Sequence, residues 1–305
     1  MVTSMTYSQK TDSIFSGLGR MIGAEFLKLR KRQMTFILLY IMIGIIAIVN
    51  LILLAISKSN VSLRAGGQGV SNIQNMLGLP YAIPFALSLI TTFGVVLAII
   101  LVASSVGNEY NWKTMRLALI SSESRFKFLV AKLVSLAILI LIGMLIGVIA
   151  GFIMSLITTA IGGYVFSFSF ITGSYVWAQF LQFWRTFFII MPFGLLAFLM
   201  AIVGRSAMPG IATGIGVLFL EDIITAFMRL AGGWIANVPN YLLNANVSAI
   251  TRLNNLPVGS GGGLGGGGSS VVLPSLLHAF LTLGIYSLAF LALSFYLFRK
   301  RDVTG

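Results

Sequence analysis

Few side chains in this sequence could do catalytic chemistry. Its 305 residues include seven Asp and Glu, one His and no Cys. A zinc site needs several ligands, which the lone His278 cannot supply. An aspartyl site needs carboxylates on facing helices, whereas Glu221 and Asp222 are adjacent. No Gly-Lys dipeptide occurs, so the phosphate loop that binds ATP is missing from the sequence. We therefore expect no enzymatic activity, no metal and no cofactor bound by this chain.

Charge is instead concentrated in an internal segment, residues 108–133, between two long apolar stretches. Its basic residues are Lys113, Arg116, Arg125, Lys127 and Lys132. Helix-forming residues fill its first half, and the Ser-rich turn at 121–124 offers an N-cap for a following helix. A short helix carried on two membrane spans would act as a lever, because force applied to it moves both. The alternative is a basic loop that only sets topology.

The composition predicts an all-α integral membrane protein, with 1–305 as a single transmembrane domain. The chain is 58% hydrophobic and only 9% charged, with a mean hydropathy of +1.00. A soluble domain carries about a quarter charged residues. Six apolar segments are long enough to cross a bilayer as helices. They are 34–57, 81–106, 133–159, 177–203, 207–231 and 271–298.

The distribution of basic residues predicts the orientation. Most Lys and Arg precede the first span, lie between the second and third, or follow the sixth. Only Lys58, Arg64 and Arg252 lie on the other side. The positive-inside rule then places both termini in the cytoplasm. The net charge of +13 follows from this pattern, and it predicts no nucleic-acid partner, because no basic domain is formed.

Residues 12–33 predict an amphipathic helix in the inner interface of the bilayer. Its apolar stripe comprises Ile14, Leu18, Met21, Ile22, Phe26 and Leu29. Glu25 projects from this stripe, and a buried lone carboxylate needs a cationic partner. We expect that partner in the basic segment 108–133. The alternative is that Glu25 reaches the headgroup layer.

Charges within the spans are a second candidate site, made of Arg185, Glu221, Asp222 and Arg229. Intramembrane charges face the protein interior or a water-filled cavity. We expect Arg185 to pair with Glu221 or Asp222, next to a fifth span whose outer end re-enters the membrane. The alternative is that these residues line the exit of a substrate path. Residues 232–270, which include a glycine-rich tract, predict a flexible extracellular loop.

Several motifs in order resemble the permease family of type-2 ATP-binding-cassette (ABC) exporters. Glu25 and Lys28 match an E-x-x-K motif before the first span, and Phe298, Arg301 and Asp302 match a C-terminal F-x-x-R-D motif. The pattern between the second and third spans comprises Glu109, Trp112, Thr114, Arg116, Ser124, Arg125 and Lys132. The sequence departs from the family at Lys113, where glycine is usual, and at Glu123, where a small residue or proline is common.

The resemblance implies a multi-pass exporter subunit in the plasma membrane. The segment between spans two and three would be a coupling helix that docks on a cytoplasmic ABC ATPase. Its contact residues would be Glu109, Trp112, Thr114, Met115, Arg116, Leu119 and Arg125. The complex would hold two ATPase copies, which bind ATP and Mg, and a second copy of this permease or a related one.

One alternative function is an ATP-independent secondary transporter or channel. That class favours several buried ionisable residues and internal repeats, and the sequence has one acidic cluster and no clear repeat. Gly143, Gly147 and Gly151 form successive small-xxx-small spacings. They could pack two copies together or pack spans within one subunit.

Overall fold

The computed structural model describes residues 14–58, 76–111, 125–163, 166–254 and 274–300. Within these ranges every regular element is a helix and none is a strand. Six helical stretches in the same ranges are long and apolar enough to cross a membrane. The prediction of an all-helical chain with six candidate spans is therefore confirmed, and the fold indicates a multi-pass membrane protein.

Nine α-helices are present in the described ranges. They are α1 (Ile14–Arg30), α2 (Gln33–Lys58), α3 (Ala82–Leu89), α4 (Val95–Asn111), α5 (Arg125–Gly162), α6 (Gly173–Gly204), α7 (Ala207–Ala231), α8 (Leu243–Thr251) and α9 (Leu276–Lys300). A π-helical turn, Ile90–Gly94, joins α3 to α4 within the second span. The 3-10 turns Leu79–Tyr81 and Gly233–Tyr241 precede α3 and α8.

The first and third spans pack side by side. Helix α2 buries every fourth residue, namely Leu38, Met42, Ile46, Asn50 and Leu54. This spacing puts the buried residues in one stripe, which faces α5. Gly147 and Gly151 of α5 allow the close approach of α2 and α3. A methyl group on Gly151 would lie 2.4 Å from Cβ of Ala86, and one on Gly147 would lie 3.0 Å from Cδ1 of Ile90. These two glycines therefore pack spans within one chain.

Helices α4, α6 and α7 pack closely against one another. Small residues bring them together, because a methyl group on Gly107 of α4 would lie 2.0 Å from the backbone nitrogen of Ala207. A methyl group on Gly210 of α7 would similarly lie 2.6 Å from the carbonyl oxygen of Ala197. Helix α6 runs without interruption through Pro192.

The helix that contains the third span begins just after the predicted N-cap turn at 121–124, eight residues before the predicted span. Helix α5 starts at Arg125 rather than at residue 133 and has 38 residues. Its length of about 57 Å exceeds the roughly 30 Å of bilayer hydrocarbon. The additional turns are stabilised by protein contacts, since Phe128 and Leu129 are buried. The Phe128 ring stacks on Phe298 of α9 at 6.4 Å between centroids.

The prediction of a flexible loop at 232–270 is wrong for its first part. Residues Gly233–Tyr241 form a 3-10 turn and Leu243–Thr251 form helix α8. Helix α8 packs on α9 because Leu243, Ala249 and Ile250 share a buried face. The glycine-rich tract at 259–270 lies outside the described residues.

Candidate functional site

A group of buried charges lies where α1, α4 and α5 meet. Glu109, in the last turn of α4, has a side chain only 1% exposed. One of its carboxylate oxygens accepts a hydrogen bond from Lys28 Nζ of α1. The other oxygen lies 2.6 Å from Lys132 Nζ of α5. Arg32, between α1 and α2, places a guanidinium nitrogen 3.8 Å from the first oxygen.

Glu25, one turn before Lys28 on α1, completes the group. Its carboxylate lies 3.7 Å from Lys132 Nζ and 3.5 Å from Lys28 Nζ. Glu25 and Lys28 stand three residues apart, so they share one face of the helix. Lys132 is thus the cationic partner that the sequence predicts for Glu25 within the segment 108–133. We call Glu25, Lys28, Arg32, Glu109 and Lys132 the ionic cluster.

Each charge in the ionic cluster is stabilised by opposite charges of other members. Removing a charge from water costs several kcal/mol, and a buried ion pair repays this cost only with good geometry and further hydrogen bonds. Lys132 has a side chain 1% exposed, lies near two carboxylates, and sits 5.7 Å from the centroid of the Phe128 ring. Two carboxylates face three cations, so each carboxylate contacts more than one positive charge.

The ionic cluster fixes both ends of the segment predicted to couple to an ATPase. Helix α4 ends at Asn111, two residues after Glu109, and α5 begins at Arg125, seven residues before Lys132. The segment between these ends, residues 112–124, lies outside the described residues. The predicted contact residues Trp112, Thr114, Met115, Arg116 and Leu119 lie within it.

The cluster was only partly foreseeable from the sequence. The sequence singles out Glu25, Lys28 and Glu109, and it includes Lys132 in the basic segment expected to pair with Glu25. Arg32 is one of the basic residues before the first span, and nothing in the sequence assigns it to the cluster. Spacing along the chain offered one signal, since Lys132 follows Phe128 and Leu129 in register with a buried face. The pairing itself depends on α1 crossing α5, where Ser135 Oγ donates a hydrogen bond to the Ile22 carbonyl at 3.1 Å.

The charges within the spans are arranged differently from the prediction. Glu221 accepts a hydrogen bond of 2.5 Å from the backbone N–H of Asn244, and the Asn244 amide donates to Asp222 at 3.0 Å. Arg185 instead donates to the side-chain oxygen of Asn254 at 3.5 Å. The expected pairing of Arg185 with Glu221 or Asp222 is wrong, because residues 233–254 fold back and supply these partners. Among the contacts of the described residues, Arg229 takes part neither in those of Glu221 and Asp222 nor in that of Arg185 with Asn254.

Polar contacts also fasten the segment 233–254 to the last span. His278 Nε2 lies 3.0 Å from the Asn240 carbonyl oxygen, and its ring meets Tyr241 edge-on. Tyr286 donates to the Tyr241 carbonyl at 3.2 Å. The described residues contain no group of three His, Cys, Asp or Glu side chains that could hold a metal ion. Hydrogen bonds with Glu221, Asp222, His278 and Tyr286 thus hold the segment that contains α8 in place.

The fold and these sites together define a class of helical membrane proteins, with six candidate spans and a buried ionic cluster at one end of the helix bundle. Residues 68–304 match the family described as "Protein of unknown function (DUF2705)", and the chain belongs to that family.

A relative from Bacillus subtilis (strain 168), "Uncharacterized protein YhcI", is 25% identical over 215 residues. That alignment covers 68% of this chain and 64% of the relative, so the matched region spans less than two thirds of the relative's length.

Proposed function

We propose that this chain is the membrane-spanning permease subunit of an ATP-driven exporter of the type-2 ABC class. A separate cytoplasmic ATPase would dock on residues 108–125 and drive alternating access. The observation that carries the proposal is the ionic cluster, which ties both ends of that segment to α1. The order of motifs from Glu25 to Lys132 supports the same class.

The ionic cluster gives the proposed lever a mechanical basis. Lys28 and Glu109 join α1 to α4, while Lys132 joins α5 to both. Breaking a buried pair by removing one partner costs about 3–5 kcal/mol, several times the thermal energy. A force on residues 112–124 would therefore move α1, α4 and α5 as one unit instead of separating them. A loop that only sets topology would not need a buried ionic cluster at its ends.

The arrangement of the helix ends favours a cytoplasmic location for the ionic cluster. The end of α1 meets the end of α4 and the start of α5 through the cluster, and α9 ends beside α5 at the Phe128–Phe298 stack. The most basic parts of the sequence thus share one side of the bundle. By the positive-inside rule this side faces the cytoplasm of a plasma membrane.

We further propose that the exporter contains two permease copies, with the substrate path between them, and two ATPase copies that bind ATP and Mg. Gly147 and Gly151 pack against residues of their own chain. The contact between two permeases would therefore use another surface.

Photocrosslinking would test the proposed docking. A photoreactive residue replaces Trp112 in cells that express the chain at its native level, and captured proteins are identified by mass spectrometry. The proposal predicts a polypeptide with the G-x-x-x-x-G-K-[ST] phosphate loop. The matched control carries the same residue at Phe168, an exposed site between α5 and α6 at the opposite end of the bundle.

The control decides whether the capture is specific. Recovery of the ATPase from position 112 but not from position 168 supports docking, and Arg116→Glu should then reduce the yield. Recovery of no ATPase from position 112, or equal recovery from both positions, would overturn the proposal. Substrate transport by vesicles that contain this chain alone would favour a secondary transporter or channel.

A further inference from the structure

An apolar crevice of about 120 Å³ lies between the first three spans. Its walls include Thr35 and Met42 of α2, Leu97 and Leu101 of α4, and Gly143 of α5. The Thr35 hydroxyl is the one side-chain polar group in its lining. The crevice therefore offers water almost no hydrogen-bond partners, and a cavity of comparable size and polarity stays dry and binds apolar molecules.

The crevice arises from the way in which α2 packs. The buried stripe of α2 faces α5, so α2 makes few contacts with α4. The gap is widened by missing side chains, because Gly94 and Gly143 both line it. A methyl group added to Gly143 would meet no heavy atom within 4 Å. Protein interiors are otherwise close-packed, so a gap of this size calls for an occupant.

The length of the crevice matches one leaflet of a bilayer. It extends from Thr35 to Met42 along α2, about 10 Å, and from Ile90 to Leu101 along the second span, about 16 Å. Half of the roughly 30 Å hydrocarbon core is of similar length. Ile142, at the edge of the crevice, is 38% exposed, so the crevice opens sideways toward lipid.

Basic residues lie at one end of the crevice. Arg30 and Lys31 are exposed and precede Thr35 by five and four residues, at the turn between α1 and α2. They therefore lie within about 18 Å of Thr35, because five residues span no more than that even when extended. The first candidate span begins at Gln33, so we place these two residues near the lipid headgroups. Basic residues at this depth attract anionic headgroups.

We propose that the crevice binds one acyl chain of an anionic phospholipid, whose headgroup lies on Arg30 and Lys31. Part of the chain lies in the gap between α2 and α4 and the rest extends through the open side of the crevice, while the headgroup sits beside α1 and the ionic cluster. The site is separate from residues 112–124, so it does not depend on the proposed ATPase. Bound lipid would stabilise the contact of α2 with the rest of the bundle.

Lipid photolabelling tests this site. The full chain is reconstituted in phosphatidylcholine vesicles that contain phosphatidylglycerol with a diazirine-bearing acyl chain, and labelled peptides are mapped by mass spectrometry. We expect labels on α2, α4 and α5 around Met42, Leu97 and Gly143. Gly143→Phe should reduce this labelling several-fold, because its ring fills the crevice. Gly284→Phe on α9 is the matched control, since its added atoms also meet open space.

The headgroup preference is tested with the same diazirine chain on phosphatidylcholine. Phosphatidylglycerol should label the crevice several-fold more strongly, and the double substitution Arg30→Gln and Lys31→Gln should abolish the difference. Labelling that is equal for wild type and Gly143→Phe would overturn the site, because it would indicate ordinary surrounding lipid. Labelling that is equal for the two headgroups would overturn the anionic lipid. Gly143→Leu repeats the test if the Phe variant does not fold.

Discussion

Among the described residues, the buried side chain of Lys132 carries the largest electrostatic cost of burial. Its ammonium group is buried within 3.7 Å of Glu25 and 2.6 Å of Glu109, so one cation is shared by two carboxylates on different helices. A charge of this kind is stable only while its partners remain in place. Without Lys132, Glu25 would be left with Lys28 as its cationic partner, and Glu109 would be left with Lys28 and Arg32.

We predict that Lys132→Met lowers the free energy of unfolding by about 3–5 kcal/mol, because two carboxylates lose a buried partner. Reversible unfolding in mixed micelles or bicelles would measure the change. The matched control is Arg299→Gln near the end of α9, which removes an exposed charge and should change stability by less than about 0.5 kcal/mol. Equal effects of the two substitutions would contradict the buried ionic cluster.

Two asparagines on the segment 233–254 should respond in opposite ways to the same substitution. Asn244→Asp replaces the amide that donates to Asp222 with a second carboxylate, and it should destabilise the protein by about 1–3 kcal/mol. Asn254→Asp gives Arg185 a charged acceptor and should be neutral or stabilising. Thermal unfolding in detergent measures both. Destabilisation by Asn254→Asp as large as by Asn244→Asp would contradict these contacts.

Helix packing depends on small residues whose role differs from one turn of α5 to the next. Gly151 touches Ala86, Gly147 approaches Ile90, and Gly143 faces the crevice. The sequence presents these three glycines as equivalent, because their spacing is the same. Only the partner helix distinguishes them, and that information is not local to α5.

We predict opposite outcomes for two identical substitutions on α5. Gly151→Ala places a methyl group 2.4 Å from Ala86 Cβ, so it should destabilise the bundle by about 1–3 kcal/mol through overpacking. Gly143→Ala enters open space and should leave stability unchanged or raise it by at most about 1 kcal/mol, from better helix propensity. Melting temperatures measured in one detergent compare the two. A lower melting temperature for Gly143→Ala than for Gly151→Ala would be the contradictory result.

The spans were predictable from apolar length, since each must cover the bilayer and satisfy its backbone internally. Their ends were less so. Helix α5 begins at Arg125, just after the predicted N-cap turn at 121–124, but its first turns pack on protein through Phe128 and Leu129, which hydropathy does not reveal. In 232–254, the glycine-rich composition indicates a loop, whereas Leu243, Ala249 and Ile250 form a helix that is buried against α9, a contact that the sequence does not show. The predicted pairing of Arg185 with Glu221 or Asp222 is wrong because its partner, Asn254, lies in this same folded segment.

The proposed function requires the ionic cluster to lie on the cytoplasmic side of the membrane. The cluster lies at the end of the bundle where the basic residues of α1, α5 and α9 lie near Glu109 of α4. The opposite end carries the connection between α5 and α6 and the segment that includes α8. A cytoplasmic ATPase can reach residues 112–124 only if the first of these ends faces the cytoplasm.

Single-cysteine labelling tests this orientation most directly, and the absence of native cysteines makes an introduced Cys the only thiol. One variant carries Arg116→Cys and the other carries Phe168→Cys, at an exposed site on the opposite end. A membrane-impermeant maleimide is added to intact cells and to permeabilised cells. The account predicts that Phe168→Cys is labelled in intact cells, whereas Arg116→Cys is labelled only after permeabilisation. Labelling of Arg116→Cys in intact cells would contradict it, because the proposed docking segment would face away from any cytoplasmic motor.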